Sequence, residues 1–176
     1  MKDFVIINNF FSEDILSELK QYCTDKSNDQ RGVGDWKHLT PDINLVSQEE
    51  LTVNSRLLLS DYLYNTPTTP FYNNKLIKNC KAGVYKILKG ANLDEHRDNC
   101  LISLTVYLSE DWDSTDGGNF YYINSEGKQI IVKNCFNTAI IFISDENNIE
   151  YSHNYPHGFT EITTDAVRYT LQLFVK

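Results

Sequence analysis

The residues best suited to chemistry lie in segment 94–99 (DEHRDN), just before a strand-like apolar run. On an extended backbone, residues two apart point to the same side, so His96 and Asp98 can converge on one ion. One more histidine would complete a set of two histidines and one carboxylate, which leaves three positions of an octahedral ion open. His153 and His157 are both candidates for this third ligand. The segment therefore predicts a mononuclear metal site.

A His-x-Asp pair alone is weak evidence for a metal site, because it is common by chance and is usually part of a solvated turn. Arg168 strengthens the prediction. Arg168 lies in segment 166–173 (AVRYTLQL), an otherwise apolar strand pattern. A buried guanidinium needs an anionic partner, and a carboxylate can accept two hydrogen bonds from it. The alternative is an ordinary ion pair with an acidic side chain. Together, the candidate ligands and the arginine indicate the type of site found in non-haem Fe(II) oxygenases, with zinc as the alternative metal.

Two helices are expected before the candidate site. Ser12 can cap a helix whose first turn carries Glu13 and Asp14. Its apolar face follows at helical spacing and comprises Ile15, Leu16, Leu19, Tyr22 and Cys23. The capping box at 47–50 (SQEE) predicts a second helix that continues to residue 62, and residues 24–46 read as a long polar loop between the two.

Short strands are expected in the rest of the chain. Runs of β-branched and aromatic residues lie at 76–77, 84–88, 101–108, 119–123, 129–132, 138–143 and 167–175. Glycine- and asparagine-rich turns separate them. This spacing predicts an α+β fold with an antiparallel barrel or jelly-roll core and the helices packed outside it.

Composition narrows the class of protein further. The chain has 176 residues, a formal net charge of −8, 41% hydrophobic and 23% charged residues. We expect one globular domain over residues 1–176, with no broad nucleic-acid-binding face and no membrane segment, since no apolar run approaches the roughly 20 residues that span a bilayer. No export signal is evident, so we expect a cytoplasmic protein whose four cysteines are reduced. These are Cys23, Cys80, Cys100 and Cys135.

The order of these motifs resembles that of the prolyl-hydroxylase-type Fe(II)/2-oxoglutarate dioxygenases. The family's H-x-D, distal histidine and R-Y-x-L strand are matched by 96–98, His157 and 168–171. Segment 104–118, with its YL-x-x-x-W and Gly-Gly, is similar to the family's "YLN-x-x-W … GG" strand and turn. The HRDN and DWD sequences within these segments are similar to those of hypoxia-sensing prolyl hydroxylases and their bacterial relatives. The resemblance covers nearly the whole chain, and one departure is Asn137, where the family usually has glycine.

The resemblance implies a double-stranded β-helix core, with the N-terminal helices packed on one sheet, and an Fe(II) site. The ligands would be His96, Asp98 and His157; His157 is favoured over His153 because its spacing from Arg168 matches the family's. The presence of Asp98 favours hydroxylation over halogenation, since related halogenases lack this carboxylate.

The resemblance also implies how 2-oxoglutarate binds. Arg168 and Tyr107 would hold its far carboxylate, and Tyr85 matches a second tyrosine of the family's pocket. Contacts with the main substrate are expected from Arg31, Trp36 and Trp112.

The implied reaction is hydroxylation of a prolyl residue in a protein or peptide, coupled to the conversion of 2-oxoglutarate and O2 to succinate and CO2. Ascorbate is a further candidate cofactor. Alternatives are a hydroxylase of a free amino acid or other small molecule, and a catalytically silent binding protein with the same fold. A nucleic-acid demethylase is disfavoured, because Phe174 stands where those enzymes carry a second arginine. The sequence leaves the substrate and the oligomeric state open.

Overall fold

The computed structural model describes residues 4–25, 80–98, 100, 102–143 and 155–175. Within these ranges the chain forms one helix and nine strands. They are β1 (Phe4–Asn8), α1 (Glu13–Asp25), β2 (Cys80–Ile87), β3 (Leu93–His96), β4 (Ile102–Tyr107), β5 (Phe120–Ile123), β6 (Gln129–Val132), β7 (Thr138–Ile143), β8 (His157–Phe159) and β9 (Arg168–Val175). A short 3-10 turn, Ser114–Asp116, lies between β4 and β5.

Several predicted features lie outside the described residues. They are the second helix at 47–62, the strand at 76–77, loop residues 26–46 with Arg31 and Trp36, and His153. The predicted loop start at residue 24 is wrong, because α1 continues to Asp25. No described helix has the length and apolar character needed to cross a membrane.

The strands form two antiparallel sheets. The major sheet has the order β1-β7-β4-β9-β2, and the minor sheet has the order β3-β8-β5-β6. This architecture confirms the predicted α+β fold with a jelly-roll core. The strands predicted at 129–132 and 138–143 have the observed bounds, whereas β2 begins at Cys80 rather than at residue 84, and β3 was missed as a strand.

The outer face of the major sheet packs against α1. In β4 and β9, alternate residues point to this face because the side-chain period of a strand is two. Leu104, Val106, Leu171 and Leu173 are almost completely buried there, with Leu16 and Leu19 of the helix in the same apolar cluster. The intervening residues of both strands therefore point to the opposite face, between the two sheets.

Asn137 joins the start of the chain to the turn before β7. Its backbone is left-handed, with φ of 54°, which asparagine tolerates better than most residues. Its side-chain Oδ1 accepts a hydrogen bond from the Phe11 N–H, and its Nδ2 donates to the Phe11 carbonyl, both at 2.9 Å. Asparagine thus supplies both the conformation expected of the family's glycine and a two-bond link between β7 and the entry to α1.

Candidate active site

Three candidate metal ligands converge between β3 and β8. His96 ends β3, and the register of the two strands places it opposite His157, the first residue of β8. Asp98 follows two residues after His96. Its Oδ1 lies 3.4 Å from His96 Nε2, and its Oδ2 lies 3.3 Å from His157 Nε2. One potential ligand atom from each residue lies within 4.8 Å of the others, so a single ion can contact all three.

Backbone carbonyls orient both histidine rings. His96 Nδ1 lies 3.0 Å from the Asp94 carbonyl oxygen, and His157 Nδ1 lies 3.3 Å from that of Tyr155. Since a carbonyl oxygen can only accept, each Nδ1 carries the proton. Each Nε2 is left facing Asp98 and available to bind a cation, which is the usual arrangement of metal-binding histidines.

The surroundings of Asp98 favour its charged form. Burial acts to raise the pKa of this carboxyl group, but the neighbouring side chains of His157, His96 and Ser103 outweigh burial and hold the pKa far below its ordinary value. The ring of His157 is itself fixed by stacking on Phe142, with ring centroids 4.4 Å apart and an interplanar angle of 13°. The site therefore presents a carboxylate and two oriented imidazoles.

Arg168 begins β9 and is almost completely buried, with 3% of its surface exposed. Its guanidinium carbon lies 4.8 Å from the centre of the Tyr107 ring and 5.2 Å from that of Phe159. Nη1 donates to the Gly118 carbonyl, and the Tyr107 hydroxyl is a second hydrogen-bond partner. No carboxylate of the described residues forms an ion pair with Arg168, and its Nε has no hydrogen-bond partner. The ordinary ion pair considered above is therefore absent from this part of the chain.

Tyr107 remains a neutral hydrogen-bonding group beside this cation. Burial raises the pKa of its phenol to about 12, although the neighbouring Arg168 acts to lower that pKa. A guanidinium and a phenol side by side are suitable donors for a carboxylate.

The three candidate ligands and Arg168 line one cavity between the sheets. Its volume is about 70 Å³, several times the roughly 10–15 Å³ that one water molecule needs. Polar side chains from the inner face of β4 and β9 form part of its otherwise mostly apolar wall. They are Ser103, Thr105, Tyr107, Arg168, Thr170 and Gln172. Thr170 is fully buried, and its Oγ1 has no hydrogen-bond partner among the described residues.

Sequence reasoning missed Ser103, Thr105, Thr170 and Gln172 as part of this site. The available signal was their spacing, because Thr170 and Gln172 follow Arg168 at intervals of two, as Ser103 and Thr105 precede Tyr107. The pairing of Tyr107 with Thr170 then places both series on the same face.

Two other predicted site residues have different positions. Tyr85 lies opposite Thr170 in the β2–β9 pairing, hence on the cavity side of the sheet, but it packs against the apolar cluster around Ile87 and does not line the cavity. Trp112 packs against the same cluster, with its Nε1 donating to the Gly117 carbonyl at 3.1 Å, and it too is not a lining residue. Their cofactor and substrate contacts remain predictions.

The chemistry of the cavity fits a metal ion together with an anionic ligand. Two imidazole Nε2 atoms and a carboxylate suit Fe(II), and they lie close enough together to contact one ion. The unpaired Nε of Arg168 and the unpaired hydroxyl of Thr170 are buried donors that a bound carboxylate could satisfy. A ligand with a metal-chelating group and a second carboxylate, such as 2-oxoglutarate, suits both kinds of group in this cavity.

Comparison with known proteins agrees with this chemistry. The model of the 2OG-Fe(II) oxygenase superfamily matches residues 81–176. No protein with a curated description matches the sequence significantly.

Solved structures share the fold. A Trichoplax adhaerens prolyl hydroxylase, solved in complex with a hypoxia inducible factor peptide fragment, is 20% identical, with a TM-score of 0.71 over 99% of this chain and 84% of that one. A Pseudomonas putida prolyl-4-hydroxylase is 15% identical, with a TM-score of 0.63 over 99% of this chain and 87% of that one. HygX from Streptomyces hygroscopicus, solved with nickel and 2-oxoglutarate bound, is 12% identical, with a TM-score of 0.59 over 97% of this chain and 81% of that one. The chain therefore belongs to the 2OG-Fe(II) oxygenase superfamily, and it is an oxygenase whose cofactors are Fe(II), 2-oxoglutarate and O2.

Proposed function

We propose that this oxygenase hydroxylates a prolyl residue in a protein or peptide and converts 2-oxoglutarate to succinate and CO2 in the same reaction. The observation that carries the proposal is the cavity in which three candidate metal ligands lie together with a buried arginine that has no carboxylate partner among the described residues. The choice of a prolyl substrate is supported by the HRDN and DWD sequences at 96–99 and 111–113 and by the fold shared with prolyl hydroxylases.

His96, Asp98 and His157 would hold Fe(II), which supplies the redox chemistry between O2 and the two substrates when bound. The backbone carbonyls at Nδ1 of the two histidines keep their Nε2 atoms directed at the ion.

Arg168 and Tyr107 would bind the far carboxylate of 2-oxoglutarate. Charge-assisted hydrogen bonds are stronger when water is excluded, and both side chains are almost completely buried. The unpaired hydroxyl of Thr170, opposite Tyr107 in the β4–β9 pairing, could donate a further hydrogen bond to this ligand. Because the protein carries a net charge of −8, its overall field does not attract an anion, and the positive charge must be supplied locally.

Apolar residues would keep water from the reacting atoms. Phe120, Ile140, Phe142 and Phe159 line the same cavity as the polar groups and the candidate ligands. They supply no chemistry of their own, and their side chains limit the positions that a substrate can take. The predicted substrate contacts of Arg31, Trp36 and Trp112 stay part of this proposal.

Mass spectrometry of peptides after incubation with Fe(II), 2-oxoglutarate and O2 tests the proposed substrate. Proline-rich peptides and proteins of a cell extract should gain the mass of one oxygen atom at proline, and the Asp98→Ala variant should give no such product. Oxygen incorporation into free amino acids or other metabolites alone would instead support the small-molecule alternative. Absence of succinate formation by iron-loaded protein with every tested substrate would contradict the proposed reaction.

A further inference from the structure

The turn at Gly117 and Gly118 supplies the backbone acceptor for Arg168. Both glycines have left-handed φ angles, 79° and 61°, and the Gly118 carbonyl accepts a hydrogen bond from Arg168 Nη1. A side chain on Gly118 would collide with Nη1, so the guanidinium occupies the space that glycine leaves open. The position of this carbonyl therefore limits where the guanidinium can lie.

Asn134 binds the same carbonyl. It is buried, with 3% of its surface exposed, and its Nδ2 donates to Gly118 O at 2.5 Å. Its Oδ1 accepts from the N–H of Phe120, the first residue of β5, at 3.2 Å. A carbonyl oxygen has two lone pairs, so Gly118 can accept from Asn134 and Arg168 together. Asn134 thus ties the turn that faces Arg168 to the strand that follows it.

This arrangement matters because Arg168 has few other constraints in the described part of the chain. The rings of Tyr107 and Phe159 lie against its guanidinium, and among the described residues the Gly118 carbonyl and the Tyr107 hydroxyl are its hydrogen-bond partners. A long side chain that is fixed before the ligand arrives loses less conformational entropy on binding.

We propose that Asn134 is a positioning residue for 2-oxoglutarate: it fixes the Gly118 carbonyl, which in turn fixes the Arg168 guanidinium that binds the far carboxylate. The inference rests on the proposed use of Arg168 for this ligand. It assigns to Asn134 an effect on cosubstrate affinity that acts through Arg168 and not through the metal ligands.

Asn137 offers a matched control. Like Asn134 it is buried and makes two side-chain hydrogen bonds to the backbone, but its partner is Phe11, near the entry to α1. Asn137→Gly keeps the left-handed backbone and removes both bonds, whereas Asn134→Ala removes the bonds to Gly118 and Phe120.

The test measures dissociation constants by calorimetry on Mn(II)-loaded protein with two ligands. 2-Oxoglutarate has a chelating end and a far carboxylate, whereas oxalate has only the chelating end. Asn134→Ala should raise the dissociation constant of 2-oxoglutarate about tenfold, as expected for the loss of one well-placed hydrogen bond, and should leave that of oxalate unchanged. Asn137→Gly should lower the unfolding temperature without changing either constant. Asn134→Leu, which is close to asparagine in shape and has no donor for Gly118, should reproduce the selective loss if the alanine variant does not fold.

Equal 2-oxoglutarate affinity in the wild type and the folded Asn134 variant, or an equal loss for oxalate, would overturn the inference alone. Failure of the wild-type protein to bind 2-oxoglutarate while it binds oxalate would overturn the proposed role of Arg168 and this inference with it.

Discussion

The two faces of the major sheet differ in what they contribute, although the same strands form both. On the outer face, Leu104 and Leu171 are buried against apolar neighbours and the helix α1. On the inner face, Thr105, Arg168 and Thr170 line a cavity, and the last two have buried donors without partners in the described part of the chain. Burial of apolar surface stabilises a fold, whereas a buried polar group without a partner destabilises it. The comparison indicates that the outer face supplies stability and the inner face supplies binding.

This division predicts how the two faces respond to substitution. A change on the outer face should lower the free energy of unfolding and leave ligand affinity intact. A change on the inner face should lower ligand affinity and leave the free energy of unfolding of the ligand-free protein nearly unchanged, because the bound ligand would satisfy the groups that are unpaired without it.

The largest effect is expected at the candidate metal ligands, which line the same cavity as the inner face. Asp98→Ala removes the carboxylate that both histidines contact, so iron-dependent succinate formation should fall by at least about 100-fold. Glu95→Ala is the control, because this exposed carboxylate lies in β3, three residues before Asp98, and is not part of the candidate metal site. Turnover of the Asp98 variant at the rate of the Glu95 variant would remove Asp98 from the ligand set.

The choice of the distal histidine can be tested by metal titration. His157→Ala should lower Fe(II) affinity by about 10-fold or more, since its Nε2 faces Asp98. His153→Ala should change Fe(II) affinity little. A strong loss in the His153 variant with retained affinity in the His157 variant would reverse the assignment.

On the outer face, Leu16→Ala should cost about 2–5 kcal/mol of unfolding free energy, because it leaves a cavity between α1 and the sheet. Denaturant unfolding measures this cost, and Ser17→Ala, at an exposed position of the same helix, serves as control. Affinity for 2-oxoglutarate should remain that of the wild type. A parallel loss of affinity would show that the two faces are not independent.

A smaller effect is expected for Thr170→Val, which replaces an unpaired buried hydroxyl with a methyl group. The ligand-free protein should be unchanged or more stable by up to about 1 kcal/mol, while 2-oxoglutarate binding weakens severalfold. Leu171→Val, one residue along on the outer face, should lower stability and preserve affinity. Thermal unfolding and calorimetry of the two variants check this pair. A substantial loss of stability in the valine variant of Thr170 would mean that its hydroxyl has a partner in the folded protein.

Parts of the molecule with a clear residue pattern were predictable from the sequence. The apolar face of α1 and the strand Thr138–Ile143 follow from hydrophobic spacing. The short strand β3 was missed because only Leu93 in it is apolar, and Asp94 and Glu95 are exposed. Such a strand is held by its pairing with β8, which a local pattern does not reveal.

The same distinction applies to the site. His96, Asp98 and Arg168 were found because these residue types are unusual next to apolar strands. Thr170 and Asn134 were missed because small polar residues are common in strands and turns. Their importance depends on the register of β4 and β9 and on a hydrogen bond to the Gly118 carbonyl, and both arise only in the folded chain.

Anaerobic titration of the Fe(II)-loaded protein with 2-oxoglutarate tests the central claim most directly, namely that the ligand set at His96, Asp98 and His157 and the guanidinium of Arg168 serve one bound cosubstrate. We predict a weak visible charge-transfer band that saturates with 2-oxoglutarate, and Arg168→Gln should shift its midpoint to higher concentration. Absence of the band in protein with fully bound iron, or an unchanged midpoint in the Arg168 variant, would contradict the account.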